Sequence, residues 1–315
     1  MRWPMIRYLP SHTHIDFVKL APFAAGLSAL AVLASCFSFF THGLNLGIDF
    51  AGGTLIEIVT PGAAPLSQLR TDLLLVPGVH DPQVQGFGAP NSAMVRFKPA
   101  EGVNPADTVN LVRQELSSKI PGIQFKRQDV VGPKVSGELF RSGFIALAIA
   151  VGLMLIYIWF RFQLQFGLGA VIAIAHDVFL TIGLLSILQI EFSMTSIAAL
   201  LTVIGYSMNE KVITFDRLRE NLRKYRKTPL REVINLSENE RLSRTLITGS
   251  TALLALVGAL FLGGPSLFPL VFTMCFGIVI GTYSSVYVAL PVILLWGVNR
   301  DAGEAAPLKS ATQRP

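Results

Sequence analysis

The stretch VIGYSMNEKVITFDRLREN, residues 203–221, decides how the rest of this chain is interpreted. It continues an apolar run that begins at Phe192. Near the end of that run, Asn209, Glu210 and Lys211 occupy consecutive positions. A charged side chain inside a membrane span costs about 2.5–3.5 kcal/mol on insertion scales, so it is rarely kept without a partner or a task. The stretch therefore predicts a membrane helix that carries functional polar groups.

The overall composition also predicts an integral membrane protein. Of the 315 residues, 51% are hydrophobic and only 15% are charged, which is too apolar for an ordinary water-soluble protein. The formal net charge is +6, and many of the basic residues lie in the segment 217–244 beside predicted spans. We interpret them as cytoplasmic charges that fix the orientation in the membrane. Contact with membrane lipids is expected, and a nucleic-acid partner is not.

Six apolar segments are long enough to cross a hydrocarbon core of about 30 Å at about 1.5 Å per residue. They are residues 20–40, 142–160, 166–188, 192–215, 245–262 and 268–296. The last five make up a helical region over residues 139–297. Basic residues before the first span place residues 1–19 in the cytoplasm, and the predicted loop 216–244 and tail 298–315 then fall on the same side. Both termini are predicted to be cytoplasmic.

The first apolar segment also contains LASC, residues 33–36, which imitates a lipoprotein cleavage site. The apolar run continues beyond Cys36, so we favour a retained first helix over a cleaved signal peptide. Cys275, the second of the two cysteines, also lies in an apolar run, where a thiol behaves as a small hydrophobic group. No disulfide framework is predicted.

The polar segment 41–138 reads as an extracytoplasmic, periplasmic α+β domain. Its predicted elements are a strand at 54–60, a helix at 66–76, strands at 84–87 and 93–97, a helix at 104–120 and a strand at 123–131. The order β-α-β-β-α-β is the split βαβ arrangement of ferredoxin-like domains. Many unrelated functions share that fold, so it predicts an architecture and no chemistry.

Few ionisable residues lie within the predicted spans. They are His176, Asp177, Glu210, Lys211 and, at the entry to the fifth span, Arg244. Apolar surroundings favour the protonated form of a carboxyl and a nearby guanidinium favours the ionised form, so contact with Arg244 would switch Glu210 between holding and releasing a proton. One charge that crosses a membrane potential of about 100 mV releases about 2.3 kcal/mol, which is an adequate energy source.

Structural interpretations of the same residues stay open. Glu210 and Lys211 could neutralise each other, Arg244 could be an interfacial anchor, and His176 could serve only as a hydrogen-bond donor. Asp216 and Arg217, at the cytoplasmic end of the fourth span, predict a local cap and ion pair.

Several catalytic signatures are missing from the sequence. It has no nucleotide-binding G-x-x-x-x-G-K-[ST] loop, no cluster of cysteine and histidine for a metal and no G-x-S-x-G nucleophile turn. We therefore expect neither an enzyme nor a cofactor or metal. Gly277 and Gly281 form a G-x-x-x-G step that predicts close helix packing.

Seven segments together resemble one known family. They are GIDFAGG (47–53), VVGPKVSGEL (130–139), AHDV (175–178), GYSMNEKVITFDRLREN (205–221), LSRTLITGSTALL (242–254), LGG (262–264) and IGTYSSVYVALPV (280–292). In this order they are similar to the SecD/SecF family of bacterial protein-translocase subunits, in its SecF branch. The resemblance implies membership of the resistance-nodulation-division superfamily, with six spans and one extracytoplasmic domain, in the bacterial inner membrane.

The resemblance also implies a function. SecF pairs with SecD, works beside the SecYEG channel and the SecA motor, often with YajC, and uses the proton gradient to draw preproteins out on the periplasmic side. The family's coupling residues correspond by position to Glu210 and Arg244, and Asp177 is a further candidate.

Supporting roles are expected for other residues of the same motifs and their neighbours, which are Asn209, Lys211, His176, Ser243, Asp216 and Arg217. The motif residues of the first segment are Gly47, Asp49, Gly52 and Gly53.

One position departs from the family pattern. The family usually has Asp followed by Thr or Ser after the asparagine, whereas this chain has Glu210 followed by Lys211. A permanent pair between these two neighbours would change the coupling ion or its efficiency. Two other functions remain as alternatives. They are a proton-coupled exporter of small amphiphiles on the same superfamily fold and a structural membrane scaffold.

Overall fold

The computed structural model describes residues 13–100, 103–264 and 266–298. It consists of a bundle of long helices and a small α+β domain inserted after the first of them. The predicted tail 298–315, except its first residue, and residues 1–12 of the predicted N-terminal segment lie outside the described residues.

The elements follow one another without long connections. In chain order they are α1 (Phe17–His42), α2 (Ile48–Ala51), β1 (Gly53–Val59), α3 (Leu66–Leu74), β2 (Val79–Phe87), β3 (Ala89–Pro99), α4 (Pro105–Lys119), β4 (Gln124–Val131), α5 (Pro133–Arg161), α6 (Leu164–Ile187), α7 (Met194–Lys224), α8 (Leu230–Leu262), α9 (Phe268–Ser284), a π-helical turn (Ser285–Ala289) and α10 (Leu290–Trp296).

The α+β domain has the predicted element order β-α-β-β-α-β. Its four strands form one antiparallel sheet in the order β2-β3-β1-β4. The start of α4 is fixed as its sequence predicts, because the Asn104 side chain accepts a hydrogen bond from the Ala106 N–H at 3.1 Å and Pro105 occupies the first helical position. The local sequence signals and the fold therefore agree in this domain.

The domain core lies between the sheet and helices α3 and α4. Leu69 and Leu73 on α3 and Val112 and Leu116 on α4 are spaced four residues apart, so each pair lies on one helix face, and all four are completely buried. The two helices therefore cover one face of the sheet. Between strand residues and the outer ends of the long helices lies a cavity of about 490 Å³, lined among others by Leu55, Met94, Glu191, Ser193 and Pro269.

The helical bundle has the character of a membrane protein. Within the described residues, five helical segments are long and apolar enough to cross a membrane. They are Phe17–His42, Pro133–Arg161, Leu164–Ile187, Leu230–Leu262 and Phe268–Trp296. Helix α7 is 31 residues long but is not among these five, and it is the helix that carries Glu210 and Lys211.

The structure differs from the predicted loop at residues 216–244. Helices α7 and α8 extend through most of it, which leaves residues 225–229 as the connection. The physical reason is that Leu218, Leu222 and Val233 recur at helical spacing and pack in the bundle core, although charged residues surround them in the sequence. Helix α5 likewise begins before its predicted start, so the α+β domain is shorter than the predicted segment 41–138.

Close packing of α7 against α9 depends on Gly277. A Cβ atom at Gly277 would overlap the side chain of Val203 on α7. We expect Gly277→Ala to lower the free energy of unfolding by about 1–3 kcal/mol, because overpacking forces the two helices apart. The measurement is the thermal unfolding midpoint of the purified protein in detergent.

A matched control is available on another helix. A Cβ atom at Gly258 of α8 would meet nothing within 4 Å. Gly258→Ala should therefore keep or raise the midpoint, because alanine favours the helix. Equal midpoints for the Gly258 and Gly277 variants would contradict the packing argument.

Candidate functional site

Helix α7 places its polar residues on two neighbouring faces. Ser207 and Lys211 are four residues apart and lie on one face, while Glu210 and Thr214 lie on the next face. All four side chains are completely buried. Consecutive residues of a helix point about 100° apart, since about 3.6 residues make one turn. Glu210 and Lys211 therefore belong to different side-chain clusters, although they are neighbours in the sequence.

The first cluster, which we call the lysine cluster, consists of Lys211, Asp177, His176, Ser207 and Ser284. Lys211 Nζ donates to Asp177 Oδ2 at 2.9 Å, to Ser207 Oγ at 2.6 Å and to Ser284 Oγ at 2.9 Å. Ser284 Oγ lies 2.7 Å from the same carboxylate oxygen, and Asp177 Oδ1 lies 3.0 Å from His176 Nδ1. The ammonium group therefore uses all three of its hydrogens on the described side chains.

This arrangement contradicts the expectation that Lys211 and Glu210 neutralise each other. The carboxylate that faces the Lys211 ammonium is Asp177 on α6, and the exposed fraction of both side chains is at most 1%. A buried ion pair of this kind is strongly destabilised when one partner is removed. Asp177 and Lys211 therefore act as a single unit that joins α6 to α7.

The second cluster, which we call the arginine cluster, consists of Arg241, Glu238, Glu210, Thr245 and Ser285. Arg241 Nε donates to both carboxylate oxygens of Glu238, at 2.8 and 2.9 Å. Arg241 also donates to Thr245 Oγ1 at 2.8 Å and to Ser285 Oγ at 2.9 Å. Its contact with Glu210 Oε2 is longer, at 3.4 Å. The guanidinium group is therefore committed mainly to Glu238.

Two carboxyl groups thus share one guanidinium group in this buried cluster. Glu210 is completely buried, and its Oε1 atom has no hydrogen-bond partner among the residues that the structure describes. The Tyr206 hydroxyl, one turn earlier on α7, lies near Glu210 and Thr282 but makes no well-formed hydrogen bond in the described part of the chain. An unpaired buried polar oxygen is costly. Glu210 is therefore the carboxyl of the cluster that the described residues hydrogen-bond least.

Arg244 does not occupy the position that the sequence predicted beside Glu210. The residues of α8 that face the bundle are spaced three or four apart and include Arg241, Thr245 and Gly249. Arg244 lies off that stripe and is exposed, beside a cleft that Arg217 also lines. The cation that contacts Glu210 is Arg241 instead.

Sequence reasoning missed Arg241 and Glu238 because it assigned them to a loop. On a helix, a glutamate and an arginine three residues apart lie on the same face and form an ion pair. The three-residue spacing of Glu238 and Arg241 is present in the sequence. It identifies them as candidates once α8 is extended back to Leu230.

The other predicted residues lie around the two clusters. Asn209 is exposed and Ser243 is half-buried. Asp216 accepts two hydrogen bonds from Arg161 at the end of α5, at 2.8 and 2.9 Å. Arg217 is paired with Glu220 and Glu240. Among the described residues, no group of three or more His, Cys, Asp and Glu side chains is placed to hold a metal ion.

The glycine motif at residues 47–53 joins the α+β domain to the start of α7. Asp49 Oδ2 accepts a hydrogen bond from the Met194 N–H, the first residue of α7, at 3.0 Å. The backbone N–H of Gly47 donates to the Phe192 carbonyl at 2.9 Å. The motif therefore holds the connection between α6 and α7 from outside the bundle.

Two of the motif glycines are required by their surroundings. A Cβ atom at Gly47 would lie 2.5 Å from Glu191 Oε1. Gly53 has a φ of 117°, which side-chain-bearing residues rarely adopt, and a Cβ there would lie 2.7 Å from the Phe97 carbonyl oxygen. Gly52, with a φ of 68°, ends α2.

A further link between the domain and the bundle was not predicted from the sequence. Arg96 on β3 is buried, and its Nη2 atom lies 2.8 Å from Glu191 Oε2. Arg96 Nη1 also donates to the Leu46 carbonyl at 3.2 Å and to Asn45 Oδ1 at 3.3 Å. Arg96 thus connects the sheet both to the glycine motif and to the turn before α7.

The ion pair at this junction has a pH dependence whose sign follows from Glu191. Burial raises the pKa of the Glu191 carboxyl above its usual value, with a smaller contribution from the negative charge of Asp49, and the Arg96 guanidinium opposes the rise. The folded protein therefore binds this proton at a pH where the unfolded chain does not, so the free energy of unfolding increases as the pH falls from neutral towards 4.5.

We expect this increase to disappear in Glu191→Gln, which cannot titrate. The measurement is the difference in thermal unfolding midpoint between wild type and Glu191→Gln as a function of pH. Wild type should gain relative to the variant on acidification, and a difference that stays constant or changes sign in the opposite direction would contradict the prediction.

Comparison with known sequences identifies the family. Residues 112–299 match the family described as "Protein export membrane protein SecD/SecF, C-terminal", and residues 37–60 match the "SecD/SecF GG Motif". The chain is 44% identical to the protein translocase subunit SecF of Cereibacter sphaeroides, over 98% of this chain and 97% of the relative. The corresponding protein of Rhodobacter capsulatus is 41% identical, with 96% and 95% covered.

Comparison with solved structures gives the same family. The chain is similar to the crystal structure of SecDF, a translocon-associated membrane protein from Thermus thermophilus, with a TM-score of 0.84 and 32% identity. A structure of SecDF in a super-membrane-facing form matches with a TM-score of 0.65 and 31% identity. Each match covers 94% of this chain but 40% of the longer SecDF chain. The chain therefore belongs to the SecD/SecF family of protein export membrane proteins.

Proposed function

We propose that this chain is an auxiliary subunit of SecF type in the Sec protein-export machinery. With a SecD partner it uses the proton motive force to drive preprotein translocation and release at the periplasmic side. The observation that carries the proposal is Glu210, a completely buried carboxyl in the bundle with one unpaired oxygen beside Arg241. A group that can take up and release a proton inside the membrane is what a gradient-driven machine needs.

The proposed architecture has six membrane spans and a ferredoxin-like periplasmic domain. Helix α7, the fourth span in chain order, brings the number of spans from five to six, supported by its length of 31 residues and by its packing against α6, α8 and α9. The sheet order β2-β3-β1-β4 supports the ferredoxin-like assignment. The charged ends of α7 and α8 lie opposite the α+β domain and support cytoplasmic termini, since basic residues favour the cytoplasmic side.

Proton uptake is coupled to the periplasmic domain through α7. Neutralising Glu210 weakens its attraction to Arg241 and so changes how α7 sits against α8. Any displacement of α7 reaches the domain directly, because Asp49 binds the first N–H of that helix. Two SecDF structures, each covering 94% of this chain, match it at TM-scores of 0.84 and 0.65, which supports movement between parts of this segment.

The proposed coupling residues are Glu210, Asp177 and Arg244, with Arg241 added from the structure. Arg241 holds Glu210 in the described state, whereas the exposed Arg244 is free to meet a partner subunit. Asn209, Ser243, His176 and Lys211 support these groups.

The proposed partners are those expected of a SecF-type subunit. They are SecD, the SecYEG channel, SecA, YajC, preproteins and membrane lipids. We propose no covalent chemistry, no cofactor and no nucleic-acid partner, and a location in the bacterial inner membrane.

The two arginines are expected to differ when they are replaced. Arg241→Gln leaves Glu238 buried without its cation, so it should lower both the unfolding midpoint and export. Arg244→Gln removes an exposed group, so it should abolish gradient-dependent export with little change in the midpoint. The measurements are thermal unfolding in detergent and export in a strain that lacks the native copy. Normal export in Arg244→Gln would contradict its role in coupling.

The function itself is tested by affinity purification from membranes in a mild detergent. We expect a tagged chain to co-isolate a SecD chain, and an unrelated multi-pass protein used as bait should not. Export of a preprotein in the same cells should slow when an uncoupler dissipates the gradient. Absence of a SecD chain from the isolate, or export that ignores the uncoupler, would argue for a small-molecule exporter or a structural scaffold instead.

A further inference from the structure

A chain of hydrogen bonds leads from Asp177 away from Lys211 to helix α1. His176 Nδ1 lies 3.0 Å from Asp177 Oδ1, and His176 Nε2 lies 3.1 Å from Ser28 Oγ. Ser28 Oγ lies 2.9 Å from the Tyr283 hydroxyl, which lies 2.7 Å from the Ala24 carbonyl oxygen. These four contacts connect α6, α1 and α9 in one line.

Each of the four contacts needs one hydrogen between its two heavy atoms. Tyr283 supplies one, Ser28 supplies one and a neutral imidazole supplies one. The Ala24 carbonyl and an ionised Asp177 supply none. Three hydrogens must therefore serve four contacts, and one contact would place two lone pairs face to face.

The lysine side of Asp177 cannot supply the missing hydrogen. Lys211 as an ammonium uses its three hydrogens on Asp177, Ser207 and Ser284. The two serine hydroxyls in turn donate to Asp177 Oδ2. These five contacts use all five hydrogens, and the Ser284 hydroxyl also lies 3.2 Å from the Gly281 carbonyl oxygen, so that half of the network has no hydrogen to spare.

We propose that His176 is a proton-binding site that is doubly protonated, as imidazolium, in the state that the structure describes. The fourth hydrogen then lies between His176 Nδ1 and Asp177 Oδ1. It stays on the imidazole because Asp177 Oδ2 accepts three hydrogen bonds, one of them from an ammonium, and such a carboxylate is stabilised in its ionised form.

The surroundings of His176 are compatible with this charge. Asp177 is the only carboxylate in direct contact with it among the described residues, and its charge also faces Lys211 from α7. From α9 the ring of Tyr283 stacks on the imidazole, with centroids 6.2 Å apart, and α1 contributes the uncharged Ser28. Glu210 on α7 and Arg241 on α8 belong to the arginine cluster on the adjacent face of α7.

Loss of the proton would break one of the four contacts. The line between α1, α6 and α9 would then lose a link, so proton release at His176 would loosen α1 from the bundle. This is a second proton position, separate from Glu210. Its connection with export rests on the proposed function, whereas the presence of the proton does not.

Solid-state NMR of protein in lipid bilayers, with nitrogen-labelled histidine, tests the proposal. The chain has five histidines, and the spectrum of His176→Gln assigns the relevant signal. At neutral pH we expect both ring nitrogens of His176 to carry hydrogen. A neutral ring, with either nitrogen bare, would overturn the proposal.

A pair of tyrosine variants sharpens the test. Tyr283→Phe removes two contacts and one hydrogen, so the two contacts that remain can be satisfied by Ser28 and a neutral imidazole. We expect the imidazolium signal to be lost in Tyr283→Phe. It should persist in Tyr287→Phe, whose hydroxyl lies one turn further on and outside the line of contacts. Persistence in both variants would also overturn the proposal.

The spectrum reports the proton independently of export. A neutral His176 would remove this proposal and leave the proposed function standing. Failure to co-isolate a SecD chain would remove the proposed function and leave the proton site standing.

Discussion

Replacing Lys211 with methionine is expected to lower the free energy of unfolding by about 3–5 kcal/mol. The substitution keeps much of the side-chain length but removes the charge and three hydrogen bonds. Asp177 would then lose the ammonium group that faces its Oδ2 atom and would keep only His176 and two serine hydroxyls as partners. The cost is large because three charge-assisted hydrogen bonds of a buried ion pair are lost together.

The measurement is denaturant unfolding of the purified protein in mixed micelles. Lys224→Met is the matched control, because Lys224 is exposed near the end of the same helix, and it should change the stability by less than about 0.5 kcal/mol. The double variant Asp177→Asn with Lys211→Met removes both charges and should recover much of the loss. If the single Lys211 variant were as stable as wild type, the buried pair would not join α6 to α7.

Replacing Glu210 with glutamine is expected to reduce export to the rate seen when the membrane gradient is dissipated. Glutamine has nearly the same shape and can still hydrogen-bond to Arg241, so the chain should fold and assemble with SecD. An amide does not take up and release a proton, so the gradient can no longer act at this position. The measurement is the rate of preprotein export in a strain lacking the native copy, with and without an uncoupler.

Glu220→Gln provides the control for this experiment. Glu220 lies on the same helix, and its side chain is 64% exposed and paired with Arg217. Its replacement removes one negative charge from α7 without touching either buried cluster, so export should keep its full response to the gradient. A Glu210→Gln strain that responded to the uncoupler as wild type does would show that the coupling proton is carried elsewhere.

The α+β domain could be predicted from sequence because its signals are local. Alternating apolar residues marked the strands, and Asn104 with Pro105 marked the start of α4. Such patterns are set by neighbours in the chain, so they survive without knowledge of the tertiary structure. The predicted strands 84–87 and 93–97 are too short, since β2 and β3 extend beyond the apolar residues on which those predictions rest.

The extensions of α7 and α8 could not be predicted in the same way. Their sequence is rich in charge, and a polar helix that leaves the membrane has no apolarity to distinguish it from a loop. Only the spaced apolar residues such as Leu222 and Ile234 indicated a helix, and they indicate it because tertiary packing covers one face.

The sequence pointed to polar residues that the structure buries in the bundle, but not to the partners they contact. Glu210 and Lys211 are adjacent in the chain, which suggested a pair, yet the helical rotation of about 100° between them directs them to different clusters. Asp177 and Arg241 come from other helices, and their contacts depend on how α6 and α8 pack against α7. A single sequence contains no direct record of that packing.

The hydrogen bond from Met194 to Asp49 has a practical consequence for truncation studies. A chain shortened by excising the α+β domain together with the glycine motif would also lose the acceptor at the first turn of α7, at a cost of about 1 kcal/mol when such caps are removed. A loss of function in this shortened chain could then come either from the missing domain or from the frayed start of α7. A shortened version that retains residues 43–52 on a flexible bridge would separate the two causes.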